Sequence, residues 1–374
     1  MKGTLYFDYN ATHPPIQEIL KECLEIYVSN PANSSGISAL SQENQRRIES
    51  SREQIAGSLS TKSTQKILPS NLTFVSTGTE ALHQMVRTYA RPQTRALLSP
   101  YEHEAMIAAC KEANLSIDMI RADKSGVVDP DEVNRLITPE HSFVSVLAVS
   151  NETGAIQPVS SISEITRRKG IPFLCDCIQA AGKLEIDYAL FDAFCINGHK
   201  FGAGFGTAVL ASRKEPVALF GGGLQEDERR AGTENLFSIL CTASALEMQT
   251  ALLAEKNERL RRFQKKIEES ILEKTSGELT ATGSPRATNT SYFVFPELEN
   301  IDFLFLGLDQ KKVVVSTGSS CKSRTRQPSR SLQAMGYSKQ DSMRAVRIST
   351  GLFTTEQEVD EFLAAFFYSI QAAS

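Results

Sequence analysis

The chain has 374 residues, which at about 150 residues per domain suggests two domains, or one large domain with an appendage. Its 40 Lys and Arg against 44 Asp and Glu leave a net charge of −4, with 22% charged and 41% hydrophobic residues, the profile of an ordinary soluble globular protein. That balance excludes a peptide-sized binding module and a strongly basic surface for nucleic acid.

The opening Met1–Asp8 has no long apolar core and no Arg- and Ser-rich amphipathic stretch, so no export or organelle signal is expected. No later apolar run is long enough to span a bilayer, and no membrane partner is expected. Ser60–Ser70 is rich in Ser, Thr, Lys and Pro and reads as a surface loop. From residue 72, β-rich apolar runs alternate with helical segments: Leu72–Ser76 then 79–90, Ala96–Ser99 then 104–113, Leu115–Ile120 then 130–137, Phe143–Ser150 then 160–169, and Ile171–Asp176. This alternation predicts a mostly parallel sheet covered on both faces, with ligands at the carboxyl ends of its strands. A strand Asp192–Asn197, a turn Gly198-His199-Lys200, a loop with Gly202, Gly204 and Gly206, and a strand Thr207–Ser212 follow. Thr233–Lys274 reads as a long helical connector, broken or kinked at a point the pattern does not place. A small α+β lobe closes the chain, with strands at Asn289–Phe295, Val313–Ser316 and Val346–Thr350 and helices near 301–309, near 328–335 and from Glu356.

The seven cysteines are odd in number and lack the clustered spacing of a disulfide or zinc framework, so no metal is expected and a reducing cytoplasm fits. Cys175-Asp-Cys177 has the wrong spacing for a redox pair and reads as small apolar filler.

Lys200 alone reads as a solvated cation, but beside His199, with a carboxylate on another strand end, it has the parts of a site that condenses with a carbonyl cofactor. The three glycines lead into a strand, which removes a dinucleotide-loop reading and suits a close backbone approach to something planar or anionic. Asp176 ends an apolar run and there calls for a cationic partner, although by itself it reads equally as a helix cap. Thr79, in Ser76-Thr-Gly-Thr-Glu80, and Thr233, in Arg230-Ala-Gly-Thr-Glu-Asn235, stand at helix starts; each motif is either a phosphate site or an N-cap. His103 lies just past a strand end, where a surface role and a functional one are equally open. His13 and His83 have no local partner pattern, and His141 sits in a polar turn; none is given a role. Cys321 lies among small residues with Lys322, Arg324, Arg326 and Arg330 around it, a setting that favours a nucleophilic thiolate, or else a docking patch with an incidental thiol. Arg347, on an apolar strand, must find an anion: a structural salt bridge is the better reading of the strand alone, a substrate carboxylate the other.

Taken together these segments resemble the cysteine desulfurases of the NifS/IscS type, pyridoxal-phosphate enzymes of the class V aminotransferase family. The resemblance runs in order through Tyr6–Thr12, Asn30-Pro-Ala, Thr79-Glu80, Glu102-His103, Asn151–Gly154, Asp176–Gln179, Gly198–Lys200, Arg230–Asn235, Ser316–Cys321, Val346–Ser349 and Phe353–Asp360, nearly the whole chain. It implies the α/β fold type I of pyridoxal-phosphate-dependent transferases. That fold has a large cofactor domain with a seven-stranded-type sheet at 13–255, and a small domain of 1–12 with 256–374 carrying the Cys321 loop. It implies pyridoxal 5'-phosphate bound covalently at Lys200, with Asp176 on the ring nitrogen, Gln179 on the ring hydroxyl, His103 stacked on the ring, and Thr79 and His199 on the phosphate. Thr233 would reach in from a partner subunit of a homodimer, and Asn151 and Arg347 would hold the carboxylate of L-cysteine. Catalysis would fall to Lys200, His103 and Cys321, with sulfur leaving as a Cys321 persulfide for an acceptor protein in iron–sulfur cluster assembly or tRNA thiolation. Asn197 replaces the usual Ser or Cys of the family, and Ala81-Leu82-His83 a common Ser-Asp-Asn. The alternatives are a selenocysteine lyase or another class V aminotransferase, and, from another class, a non-catalytic sulfur carrier or partner-binding descendant.

Overall fold

A computed structural model describes residues 3–317 and 327–373. In chain order its elements are β1 (Leu5–Tyr6), α1 (Gln17–Ser29), α2 (Ala39–Ser60), β2 (Leu72–Val75), α3 (Gly78–Tyr89), β3 (Arg95–Leu98), α4 (Glu104–Glu112), β4 (Ser116–Met119), α5 (Pro130–Leu136), β5 (His141–Ser145), α6 (Val159–Lys169), β6 (Phe173–Asp176), β7 (Ala193–Asn197) and β8 (Ala208–Ser212). The second half adds α7 (Leu236–Ala251), α8 (Leu253–Lys274), β9 (Glu278–Leu279), β10 (Thr290–Val294), α9 (Ile301–Gln310), β11 (Val313–Val314), α10 (Arg330–Ala334), β12 (Ala345–Ser349) and α11 (Glu356–Ala373).

The apolar runs form a seven-stranded sheet in the order β2-β8-β7-β6-β5-β3-β4, in which β8 alone runs against the others. Successive side chains leave a strand on opposite faces, and the core divides accordingly. Leu98, Phe143, Leu174 and Cys195 pack under α3 and α4, while Leu97, Val144, Cys175 and Phe194 pack under α1, α2, α6 and α7. Burial on both faces is why these strands read as continuous apolar runs, and why Cys175 and Cys177 serve as filler at 0% exposure. A third core gathers Phe7, Phe263, Ile267, Phe293, Leu304, Val346, Phe362 and Phe366 around the three-stranded sheet β12-β10-β9 and the β1-β11 pair.

Several details depart from the sequence expectation. Regular pairing of β5 stops at Ser145, five residues short of the predicted end, because the chain turns off toward Asn151. His141 is not in a turn: it opens β5, buried, with Nε2 3.1 Å from Asp118. The predicted connector is two helices, starting at Leu236 and bent by 71° at Leu252. Within the glycine loop Gly202, at φ +97°, packs against Ile16 and His13, where a Cβ would stand 2.8 Å from Ile16, while Gly206 lines the cleft described below. Gly206, at φ +107°, likewise lets the start of α7 approach. Among the described residues no single helix is long and apolar enough to cross a membrane.

One buried ion pair pins the β2 edge. Arg52 of α2 forks onto both carboxylate oxygens of Glu226 (2.8 and 2.9 Å) and onto the Leu72 carbonyl, while Glu226 also accepts the Phe74 N–H at 2.7 Å. Glu226, Asp227 and Glu228 are all left-handed, at φ +51°, +55° and +65°, a run that costs about 1–2 kcal/mol per residue and needs such an anchor. Glu226→Gln leaves Arg52 with only the half-exposed Glu49 as its carboxylate partner and is expected to destabilise the fold by about 1–3 kcal/mol, read as a lowered urea midpoint.

Candidate active site

Five parallel strands end at one edge of the sheet, and each hands one segment to a common cleft of ≈ 480 Å³. β2 supplies Ser76–Thr79, β3 Tyr101–His103, β5 Leu147–Asn151, β6 Asp176–Gln179, and β7 Asn197–Lys200. The hairpin between β7 and β8 closes the edge with Phe205 and Gly206. The size suits one small planar ligand with its substrate.

Lys200 ends a single 3-10 turn, Gly198–Lys200, tight enough to aim its side chain back over the strand end. Its Nζ donates to the backbone carbonyls of Asn10 and Ala11, both at 2.8 Å. Asp176 completes β6, and its Oδ1 accepts the Ile178 N–H at 2.9 Å, so it organises a local turn and does not cap a helix. Burial pushes its carboxyl up from the usual range, an effect partly offset by that amide and by His103 and Lys200. Behind it Glu102 is buried; Ser145 Oγ donates to its Oε1 at 3.1 Å, and its Oε2 has no hydrogen-bond partner. Desolvation, and then the Asp176 charge, push Glu102 up to about 8.

The opposite end of the cleft suits an anion. Ser76, Thr77, Gly78 and Thr79 all line it, so the positive end of α3 opens inward. The N-cap is Thr77, which accepts the Glu80 N–H at 3.1 Å, and this leaves the Thr79 hydroxyl for a ligand. A Cβ on Gly78 would lie 2.5 Å from the end of the Ile178 side chain and 3.2 Å from Asn197 Nδ2, so any larger residue would push Ile178 aside. Arg230 stands at this end, bonding Ser76 Oγ at 2.7 Å and pairing with Glu80 Oε1 at 3.1 Å, which offsets the Glu80 carboxylate beside the helix start.

Two imidazoles stand between these ends. His103 caps α4 by accepting the Ala105 N–H on Nδ1 at 3.1 Å, so its neutral tautomer carries the proton on Nε2. His199 bonds Thr12 Oγ1 through Nδ1 at 2.6 Å and stacks on Phe205. Burial, then Lys200 and Lys183, push His199 down to about 3, so it is neutral across the physiological range.

The structure therefore brings Thr79, His103, Asn151, Asp176, Gln179, His199 and Lys200 together around one cleft. Thr233 is exposed and does not line it. Arg347, 1% exposed, lies outside the cleft lining, bonded to Asp8 at 2.7 Å and to the Asn151 carbonyl at 2.8 Å; the salt-bridge reading of its strand is the one observed. Cys321 falls outside the described residues. Sequence reasoning assigned nothing to Asn10, Glu102 or Lys183. Glu102, a carboxylate adjoining His103 at a strand end, carried a usable signal, whereas Asn10 is set by partners far away in sequence and Lys183 by Gln179, one helical turn back, together with the distant Asn10.

An amine, a buried carboxyl, a neutral imidazole and a positive helix end converge without a metal-binding cluster among the described residues. That donor set fits a planar aromatic aldehyde bearing a phosphate and a basic ring nitrogen, the chemistry of pyridoxal phosphate.

Residues 5–362 match the model of the family Aminotransferase class-V. The chain is 30% identical over 370 residues to the cysteine desulfurase IscS of Methanosarcina thermophila, covering 96% of this chain and 90% of that one. A solved NifS-like protein superposes with a TM-score of 0.89 at 26% identity, covering 99% and 100% of the two chains. The NifS-like protein from Rickettsia africae does so with a TM-score of 0.89 at 24% identity and 98% and 99% coverage, a likeness of fold.

With a folded pKa of about 8, Glu102 holds a proton near neutrality that its unfolded counterpart, at about 4.3, has lost. Its contribution is thus fully present below about pH 4 and is lost as pH rises through 8. Glu102→Gln mimics the protonated form, so urea unfolding from pH 5 to 8 should show the variant gaining on the wild type by about 1 kcal/mol per pH unit. A gap independent of pH would mean that Glu102 is ionised in the fold.

Proposed function

The chain belongs to the class-V aminotransferase family, and from that membership we propose that it is a pyridoxal-phosphate-dependent cysteine desulfurase, converting L-cysteine to L-alanine. The observation that carries this reading is the convergence of Lys200, Asp176, His103 and the start of α3 on one cleft. Lys200 is the residue that would hold the cofactor covalently, Asp176 would face its ring nitrogen, Gln179 its ring hydroxyl, and Thr79 with the α3 amides its phosphate. When bound, the cofactor supplies a protonated ring that accepts the electron pair released at the substrate Cα.

The chain's own residues do the rest. Asp176, as the carboxylate, would keep a proton on the ring nitrogen; burial alone works against that charge, and the Ile178 amide, His103 and Lys200 offset part of its effect. Lys200, whose Nζ is held at the cleft by the Asn10 and Ala11 carbonyls, is placed where its amine would take up the α-proton. His103 offers Nε2–H to the cleft, where it can hold or pass a proton above the ring. The Cys321 thiolate attacks the substrate sulfur: an S–S bond forms, the Cβ–S bond breaks, and its electron pair remains with the substrate carbon, which is protonated to give alanine. The persulfide on Cys321 then passes its outer sulfur to an acceptor protein. Asn151 and Arg347 would hold the substrate carboxylate, Arg347 by exchanging part of its bond to Asp8.

Exposed apolar side chains on one stripe of α1, Leu24, Tyr27 and Val28, together with Ile37 and Leu40, support a homodimer, in which Thr233 would serve the partner's cleft. The free, buried cysteines among the described residues support a reducing, cytoplasmic setting.

The visible spectrum of the purified protein, followed with alanine and sulfide as L-cysteine is added, tests the reading. A yellow band that shifts with cysteine while alanine accumulates is expected, and a protein that stays colourless with added pyridoxal phosphate would refute it. Cys321→Ser should lower cysteine turnover by about 10³-fold or more while leaving the yellow band in place. Intact turnover in that variant would remove Cys321 from the chemistry.

A further inference from the structure

Beneath the cleft floor lies a second, small cavity of ≈ 20 Å³ whose lining includes His13, Lys183, Lys200, Lys256 and Asn289, and no carboxylate among the described residues. Lys256 is accounted for inside it, donating to the Gly182 carbonyl at 2.5 Å and to Gln249 Oε1. Lys183 is different, because its contacts lead into the cleft. Its Nζ donates to Gln179 Oε1 at 2.6 Å and reaches Asn10 Oδ1 at 3.5 Å. Gln179 in turn donates from Nε2 to the Asn10 carbonyl at 2.8 Å, the same oxygen that receives Lys200. A lysine ammonium only donates and a backbone carbonyl only accepts, so the Lys183 and Asn10 bonds together fix which end of the Gln179 amide is oxygen. One Nε2 hydrogen goes to Asn10, and the second is left for the cleft that Gln179 lines.

We propose that Lys183 is a positioning residue of the active site, which locks the Gln179 amide with its N–H toward the cofactor's ring oxygen and sets a second amine beside Lys200 that opposes charge there. The proposal rests on the cofactor reading given above. Two amines share one asparagine as their common acceptor, and a lysine next to another cationic group gives up its proton more readily. The groups acting on Lys183 are Lys200, Lys256 and Arg347, all cationic, and burial adds to them in pushing its amine well down; His13, pushed down to about 3, is neutral and adds no charge. Lys183 and Lys200 therefore oppose each other's charge.

The test is a pH titration of the visible band of the holoenzyme, with the dissociation constant for pyridoxal phosphate measured in parallel, for the wild type, Lys183→Met and Lys183→Gln. Lys183→Met removes both the donor and the amine. The midpoint of the band should rise by about one pH unit or more, because a neighbouring cation is gone, and cofactor affinity should fall by about tenfold as Gln179 keeps only its Asn10 bond and loses the one that held its Oε1. Lys183→Gln restores a neutral donor, so affinity should return toward the wild type while the midpoint stays high. A residue that only supported the fold would move neither the midpoint nor the split between the two variants. A folded Lys183→Met holoenzyme with wild-type midpoint and affinity would overturn the proposal. If Lys183→Met does not fold, the midpoint of Lys183→Gln decides alone, raised in favour and unchanged against. A wild type with no visible band on added pyridoxal phosphate would overturn the cofactor reading and this proposal together.

Discussion

Asn10 is a buried asparagine that has to satisfy all of its polar groups at once, and the geometry of the site follows from how it does so. Its N–H donates to Ser349 of β12, and its Nδ2 to Thr290 of β10 and to the Asn151 carbonyl beyond β5. Its Oδ1 accepts from Asn289, and its carbonyl accepts from Gln179 after β6 and Lys200 after β7. A buried amide left with an unmet group costs about 1–3 kcal/mol, so this one residue ties the N-terminal strap, the small sheet and the edge of the large sheet into one arrangement. The amine at 200 is aimed by the same atoms that hold the two sheets together.

Burial then acts on this frame in two directions. It raises the carboxyls of Asp176 and Glu102 and lowers the basicity of Lys183, Lys256 and His199, so in every case burial works against the charged form. Among the described residues no ion pair joins these five groups to one another. Such a collection is a poor source of stability and a suitable place to move protons between a ligand and its surroundings. The stabilising ion pair is kept apart, where Arg52 and Glu226 secure the left-handed turn that leads toward Arg230 and the α3 end of the cleft.

Much of the architecture was legible because strands covered on both faces must be apolar throughout. The runs ending at Val75, Leu98, Asp176 and Asn197 needed no other signal, and at each of those ends the next residues proved to line the cleft. Helices α1 and α2 were not legible. The buried face of α2 carries Ser41, Asn44, Ser51 and Arg52 among its apolar residues, and its polar members are satisfied by groups that only the fold brings near, such as Glu226. The end of β5 was misread for a related reason, since Val146–Val149 stay buried after regular pairing stops and composition does not distinguish a buried strand from a buried turn.

The amino-acid sequence by itself determined the layered α/β class and the strand ends on which chemistry is displayed, because those depend on local pattern; it offered Lys200, Asp176, His103 and Thr79 as candidates, whose roles came only with the family resemblance. The tertiary structure alone decided that Arg347 meets Asp8, that Thr233 stands away from this chain's own cleft, and that Asn10, Gln179, Lys183 and Lys200 form one network. The physical reason is the same in each case: a buried polar group is given its role by whichever partner satisfies it, and these partners lie up to hundreds of residues away in the chain.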